Sequence, residues 1–105
     1  MNSQTQPEKK NTQIATDNAV LIGKKPIMTY VTAVLTQFTR GNKKIILKAR
    51  GKAITSAVTV AELLKNKILP GQIKISNISI GTESVGKGNE IRDVSTIEIV
   101  LEPTK

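Results

Sequence analysis

The chain has 105 residues, enough for one domain, and contains neither cysteine nor histidine. A disulfide framework, a thiolate metal site and the commonest general base are therefore excluded, so we expect no enzyme, no metal and no cofactor. Sixteen Lys and Arg residues against eight Asp and Glu residues give a formal net charge of +8, which favours a polyanionic partner.

The positive charge is concentrated in one block of the sequence. Residues 18–74 hold eleven of the sixteen cations and a single acid, Glu62, whereas residues 75–105 hold five of the eight acids. This distribution is typical of nucleic-acid-binding proteins. The alternative is a generic basic protein whose charge serves only to keep it soluble. No stretch approaches the ~20 apolar residues of a membrane span, and no signal-peptide core is present, so we expect a cytoplasmic protein without a membrane partner.

The first half of the chain alternates between short apolar runs and helical periodicity. Residues 1–17 are polar and predict a disordered tail, followed by one domain over residues 18–105. Residues 19–22 predict a strand. Pro26 suits the first position of a helix whose apolar residues recur every three or four positions until Gly41-Asn42. Tyr30 is expected either in the core or at the edge of the sheet, and the sequence favours neither position over the other.

The second half begins with another strand and helix and then changes to a period of two. Residues 45–47 predict a buried strand, and residues 54–68 a helix that ends at Pro70-Gly71. In the next strand, a change of phase at Ser76-Asn77 predicts a bulge. Residues 81–93 predict a Gly-rich hairpin connection, and a final strand returns. The order is β-α-β-α-β-β, an α+β sandwich with two helices on one face of the sheet.

Two cationic turns stand where the predicted helices begin. If both helices are crossovers, the first three strands are parallel, and both turns and the hairpin lie at one edge of the sheet. Lys24 and Lys25 precede the first helix, and Arg50 and Lys52 precede the second. Cations oppose the macrodipole at a helix start unless an anion binds there, so these four residues predict a phosphate-binding site. The alternative interpretation is that these lysines are solvated loop residues that bind no anion.

Residues 81–88 (GTESVGKG) nearly match a nucleotide-binding P-loop. The required Ser or Thr is replaced by Gly88, and a strand follows instead of a helix, so we interpret the segment as a hairpin tip. The acids are scattered along the chain, which disfavours a metal-dependent nuclease.

Four segments resemble the Alba family of archaeal chromatin proteins. They are residues 20–28 (VLIGKKPIM), 46–54 (ILKARGKAI), 66–70 (NKILP) and 94–99 (VSTIEI), in matching order across residues 18–102. The resemblance implies two helices on a mixed four-stranded sheet and a homodimer, with higher-order assembly on DNA left open. It implies sequence-independent binding of double-stranded DNA and RNA and a chromosome- or nucleoid-associated role.

The resemblance also implies functional residues. Lys24, Lys25, Arg50 and Lys52 would lie on the nucleic-acid face, Lys24 would be an acetylation site, and the hairpin, with Lys87 and Arg92, would approach the minor groove. The apolar stripe of the second helix, with Leu64 and Ile68, and the last hairpin strands are expected to form the contact between subunits or between dimers.

Three features depart from the family pattern, and one rival function remains. The hairpin is acidic overall, with Glu83, Glu90 and Asp93, where family members are usually basic. Asp93 also stands directly before residues 94–98 (VSTIE), where the family often has Arg, and Arg92 lies one residue earlier. Ile68 replaces a common Phe that packs between dimers. The rival to a chromatin protein is an RNA-binding subunit of a ribonucleoprotein or an RNA-stabilising factor, because a phosphate-binding surface serves both.

Overall fold

The computed structural model describes residues 15–16 and 18–104. Its helices and strands are β1 (Ala15–Thr16), β2 (Ala19–Leu21), α1 (Ile27–Thr39), β3 (Ile45–Arg50), α2 (Ala53–Leu63), β4 (Ile73–Val85) and β5 (Arg92–Pro103). The predicted order of two helices and four strands is confirmed, with the two-residue β1 added at one edge of the sheet. The rest of the predicted tail, residues 1–14 and 17, lies outside the described residues.

The sheet has the order β1-β2-β3-β5-β4. β2 and β3 are parallel, and β5 is antiparallel to both β3 and β4. Strands β2, β3 and β4 therefore run in the same direction, as predicted from the two crossovers, and the last strand inserts between β3 and β4. The segments that follow β2, β3 and β4 consequently leave the sheet at one end, which we call the carboxyl edge.

Both helices pack on one face of the sheet, and the opposite face stays open. The alternate residues Ile45, Leu47 and Ala49 of β3 are buried beneath the helices. On the open face, Lys48 forms an ion pair with Glu98 on β5 at 3.8 Å. Burial of each large aliphatic side chain contributes about 1.5–3 kcal/mol, so the helix-covered face carries most of the stability.

The predicted bulge is present in β4. Ile75 pairs with Leu101 and Asn77 pairs with Val100, so Ser76 is the additional residue. Because of this residue, Ile78 and Ile80 return to the helix-side face, opposite Ile99 and Ile97 of β5.

The helix boundaries differ slightly from the predicted ones. Pro26 is the N-cap residue, and α1 begins one position later, at Ile27. The second helical segment extends to Ile68 as predicted, but its last five residues, Leu64–Ile68, form a π-helical turn. In this turn the N–H of Leu69 donates to the carbonyl of Leu64 at 2.8 Å.

The predicted connection over residues 81–93 is wrong in its extent. β4 continues to Val85 and β5 starts at Arg92, which leaves only residues 86–91 as the connection. Arg50 is the last residue of β3 that pairs with β5. Beyond that point, residues 82–85 of β4 still pair with residues 92–95 of β5. At 3.2–3.4 Å per residue, this two-stranded ribbon projects about 13 Å past the sheet. We call residues 82–95 the arm; cross-strand pairing extends it through residues whose local composition favours a loop.

Candidate nucleic-acid interface

The first cationic turn is held in place by a tyrosine. The hydroxyl oxygen of Tyr30 accepts hydrogen bonds from the N–H groups of Gly23 and Lys25, both at 2.9 Å. The Tyr30 side chain is 2% exposed, so the ring belongs to the core while its hydroxyl reaches the carboxyl edge. Both sequence-based assignments of Tyr30 are therefore partly right. Lys24 and Lys25 are exposed at this edge.

The second cationic turn joins β3 to α2. Gly51 has a φ of +58°, a conformation that L side chains rarely adopt, and its N–H donates to the carbonyl of Ser95 at 2.9 Å. This bond connects the turn to the base of the arm. Lys52 is the N-cap residue of α2, and Arg50 ends β3; both are exposed.

Neither helix start has the residues that normally stabilise it. The first turns of α1 and α2 contain no acidic residue, and neither N-cap residue makes a side-chain capping hydrogen bond. Nearby cations oppose the helix macrodipole by about 0.3–1 kcal/mol each. A bound anion would make cations at these helix starts favourable instead of unfavourable. At the first turn, however, the N–H groups of Gly23 and Lys25 are already bonded to Tyr30, so an anion there would bind mainly the lysine ammonium groups.

An open groove of about 560 Å³ lies near the carboxyl edge, over the ends of β2 and β3 and the neighbouring part of β5. It is lined by Leu21, Ile22, Lys48, Ala49, Arg50, Glu83, Thr96, Ile97 and Glu98. Across this groove the Nη1 of Arg50 and the Oε1 of Glu83 are 3.0 Å apart. Sequence reasoning missed this ion pair, because it depends on β5 lying between the other two strands.

The arm carries the remaining candidate residues. Lys87 precedes the 3₁₀ turn Gly88–Glu90 at the tip, and Arg92 pairs opposite Val85 at the start of β5. Both cations are exposed. The neighbouring Asp93 accepts a hydrogen bond from the Ser84 hydroxyl at 3.1 Å. The arm thus extends from the carboxyl edge with cations and acids interspersed.

Another group of lysines lies at the opposite end of the sheet. Lys43 and Lys44 precede β3, and Lys65 and Lys67 lie in the π-helical turn after α2. Lys65 is within 3.8 Å of Glu62. The structure therefore separates these lysines from Lys24, Lys25, Arg50 and Lys52, which lie together at the carboxyl edge.

The structure buries one of the two expected contact residues of the second helix and leaves apolar residues exposed on the last hairpin. Leu64 is fully buried within the protomer, so it has no exposed surface for a second subunit, whereas Ile68 is half-buried. On the helix-side face of β4, Ile78 is 55% exposed and Ile80 is 83% exposed. These two isoleucines follow the bulge in β4. They stay exposed because α2 packs on β3 and β5 and does not cover them.

Within residues 15–16 and 18–104, no helix is long and apolar enough to cross a membrane. The same residues contain no group of three or more acidic side chains that could hold a metal ion.

Comparison with known proteins gives consistent matches. The family model described as Alba matches residues 18–82. "DNA/RNA-binding protein Alba" of Pyrobaculum islandicum is 43% identical over 90 residues, which cover 85% of this chain and 98% of that protein. "DNA/RNA-binding protein Alba 1" of Archaeoglobus fulgidus is 45% identical over 85 residues, which cover 81% of this chain and 94% of that protein.

Solved structures share the fold. Alba from Thermoplasma volcanium superposes with a TM-score of 0.75 at 46% identity and covers 81% of this chain and 99% of its own. ALBA1 from Trypanosoma brucei superposes with a TM-score of 0.71 at 26% identity and covers 85% of this chain and 71% of its own.

Proposed function

The chain belongs to the Alba family, and from this premise we propose that it binds double-stranded DNA and RNA through their phosphate backbones without reading the sequence. The observation that carries the proposal is the grouping of Lys24, Lys25, Arg50 and Lys52 at one end of the sheet, at two helix starts that lack acids and caps. The relatives' names, which include DNA and RNA, support both partners.

The proposed mechanism is electrostatic. Each ammonium or guanidinium group that neutralises a phosphate releases condensed counterions, and this release supplies the affinity. The two turns bind backbone phosphates, while Lys87 and Arg92 extend the contact along the arm. Neither described helix is free to lie in the major groove, because both pack along the sheet, and the groups at their starts are cations suited to phosphates, so base readout is not expected.

The proposed assembly is a homodimer. Ile78 and Ile80 form an apolar surface on β4 that the protomer leaves uncovered, and a second copy of the chain would bury it. Ile68 and the exposed side of α2, where Val58 is 43% exposed, are the expected neighbours of this contact. A dimer would present two copies of the carboxyl-edge cations, and higher-order assembly on DNA would follow from further contacts.

The proposed cellular role is organisation of the chromosome in the cytoplasm of an archaeal cell. Acetylation of Lys24 would weaken binding, since it removes one phosphate-facing charge. As a non-enzymatic binder, the protein would need no cofactor.

An RNA-directed role is the second candidate, and the acids of the arm favour it. Glu83, Glu90 and Asp93 are exposed on or near the ribbon and would be repelled by phosphates lining the narrow minor groove of B-DNA. The minor groove of A-form RNA is wide and shallow, so the arm could lie across it at a smaller electrostatic cost.

A binding comparison tests the proposal. The parent protein is titrated at one salt concentration with two unrelated DNA duplexes and two unrelated RNA duplexes of equal length. We expect binding to all four, with less than about a threefold difference between sequences of one type, because backbone contacts carry no sequence information. A preference of more than about tenfold for one sequence would exceed what backbone contacts produce and would contradict the proposal. A consistent preference for RNA would favour the second candidate.

A further inference from the structure

The turn that carries Lys24 and Lys25 donates two hydrogen bonds to one buried side chain. Tyr30 lies in the first turn of α1, its ring is almost wholly buried, and its hydroxyl oxygen accepts from the N–H of Gly23 and of Lys25 at 2.9 Å each. Immediately before this turn, the N–H of Ile22 donates to the carbonyl of Lys48 in β3 at 2.8 Å. The backbone on either side of Lys24 is thus tied to the core.

A single acceptor that binds the N–H groups of two residues, with one residue between them, fixes the path of the chain from one to the other. Lys24 lies between the two bonded residues, and Lys25 is itself one of them. Tyr30 therefore sets the orientation of the backbone from which both lysine side chains extend. The ammonium groups of the two lysines remain in solvent. Ordering the turn in the free protein reduces the entropy that binding would otherwise cost.

We propose that Tyr30 is a positioning residue for nucleic-acid binding: its hydroxyl holds the Gly23–Lys25 turn in the conformation that directs Lys24 and Lys25 to the phosphate backbone. This inference rests on the proposed function. Tyr30 carries no charge and is too buried to contact nucleic acid directly, so it acts only through the two lysines.

The test uses Tyr30→Phe in the full chain, a change that keeps the ring and removes only the hydroxyl. Amide hydrogen exchange should become faster at Gly23 and Lys25 while the core strands stay protected. Affinity for a DNA duplex should fall about three- to tenfold, a change that lies within the coupling energies found for members of one hydrogen-bonded network. Val34→Ala is the matched control, since Val34 is fully buried in the same helix but lies away from the turn; it should lower the melting temperature and leave affinity unchanged.

A double-mutant cycle separates positioning from a general structural role. In a Lys24→Ala, Lys25→Ala background, Tyr30→Phe should change the affinity by less than about twofold, because the side chains it orients are gone. An equal loss in both backgrounds would overturn the inference, as would unchanged exchange at Gly23 and Lys25. A different result would contradict the proposed function. In that result the Lys24→Ala, Lys25→Ala protein would bind nucleic acid as tightly as the parent, with either Tyr or Phe at position 30.

Discussion

Arg50 and Glu83 form an ion pair across β5, with 3.0 Å between Nη1 of Arg50 and Oε1 of Glu83. Both residues lie on the open face of the sheet, one at the end of β3 and the other at the base of the arm. Their side chains are 59% and 52% exposed, and surface pairs of this kind contribute about 0–1 kcal/mol to stability. The free protein therefore holds a carboxylate next to one of its candidate phosphate-binding groups, where it would compete with nucleic acid.

Replacement of that carboxylate should strengthen binding. Glu83→Gln removes a negative charge from the interface and leaves Arg50 available to a phosphate, so the slope of log affinity against log salt should steepen by about 0.9 per subunit. The measurement is a salt series on a DNA duplex. Glu62→Gln is the matched control, because Glu62 is paired with Lys65 at the opposite end of the sheet and is similarly exposed, at 49%. Equal effects of the two changes would mean that net charge, not the carboxyl edge, determines affinity.

Thermal stability should respond with opposite signs at the two ends of the sheet. Lys24 and Lys25 stand before the start of α1, where cations oppose the macrodipole, so their replacement by Ala should raise the melting temperature slightly. Lys65 and Lys67 lie in the last helical turn, where cations are favourable by about 0.3–1 kcal/mol each, so their replacement should lower it. Calorimetry without nucleic acid compares the two variants. A lower melting temperature for both would show that the first turn is stabilised by its lysines and would contradict the electrostatic argument.

The tip of the arm should depend on one glycine more than on its neighbour. Gly86 has a φ of +103°, and a Cβ there would collide with the backbone carbonyl of Glu90. Gly88 also has a positive φ, of +56°, but a Cβ there would meet nothing within 4 Å. Gly86→Ala should therefore lower the protection of arm amides from hydrogen exchange more than Gly88→Ala does, since it adds a steric clash to the backbone strain. Equal losses of protection would contradict the tight turn at the tip.

A dimer built on the uncovered part of β4 should be broken by a charge. Ile80 is 83% exposed on the helix-side face, so Ile80→Glu should shift the protein from dimer to monomer in sedimentation at micromolar concentration. Leu21→Glu is the control, because Leu21 is 45% exposed but lies on the open face, and this variant should remain dimeric. A parent protein that sediments as a monomer at this concentration would rule out the proposed assembly.

The chain order of helices and strands and the shared direction of β2, β3 and β4 could be predicted, because apolar periodicity and the handedness of crossovers are local or general rules. The position of β5 between β3 and β4 was not predicted. The bulge at Ser76 was visible as a change of phase between two pairs of isoleucines. The length of the arm was not predictable, since residues 82–85 are ordered by pairing with distant residues and not by their own propensities. For the same reason the Tyr30 hydroxyl bonds and the Arg50–Glu83 pair were missed: each joins groups that only the assembled sheet brings together. The burial of Leu64 depended on how α2 packs, which helical spacing alone does not define.

The salt dependence of binding tests the central claim most directly, namely that the cations of the carboxyl edge neutralise phosphates. If a dimer neutralises six to eight phosphates, the slope of log affinity against log salt on duplex DNA should be about −5 to −7, and Lys24→Ala with Lys25→Ala should reduce it by about two per subunit. Lys43→Ala with Lys44→Ala removes the same charge from an adjacent, exposed pair at the opposite end of the sheet and should leave the slope nearly unchanged. A parent slope shallower than about −2, or an equal reduction in both variants, would contradict a phosphate-binding site at the carboxyl edge.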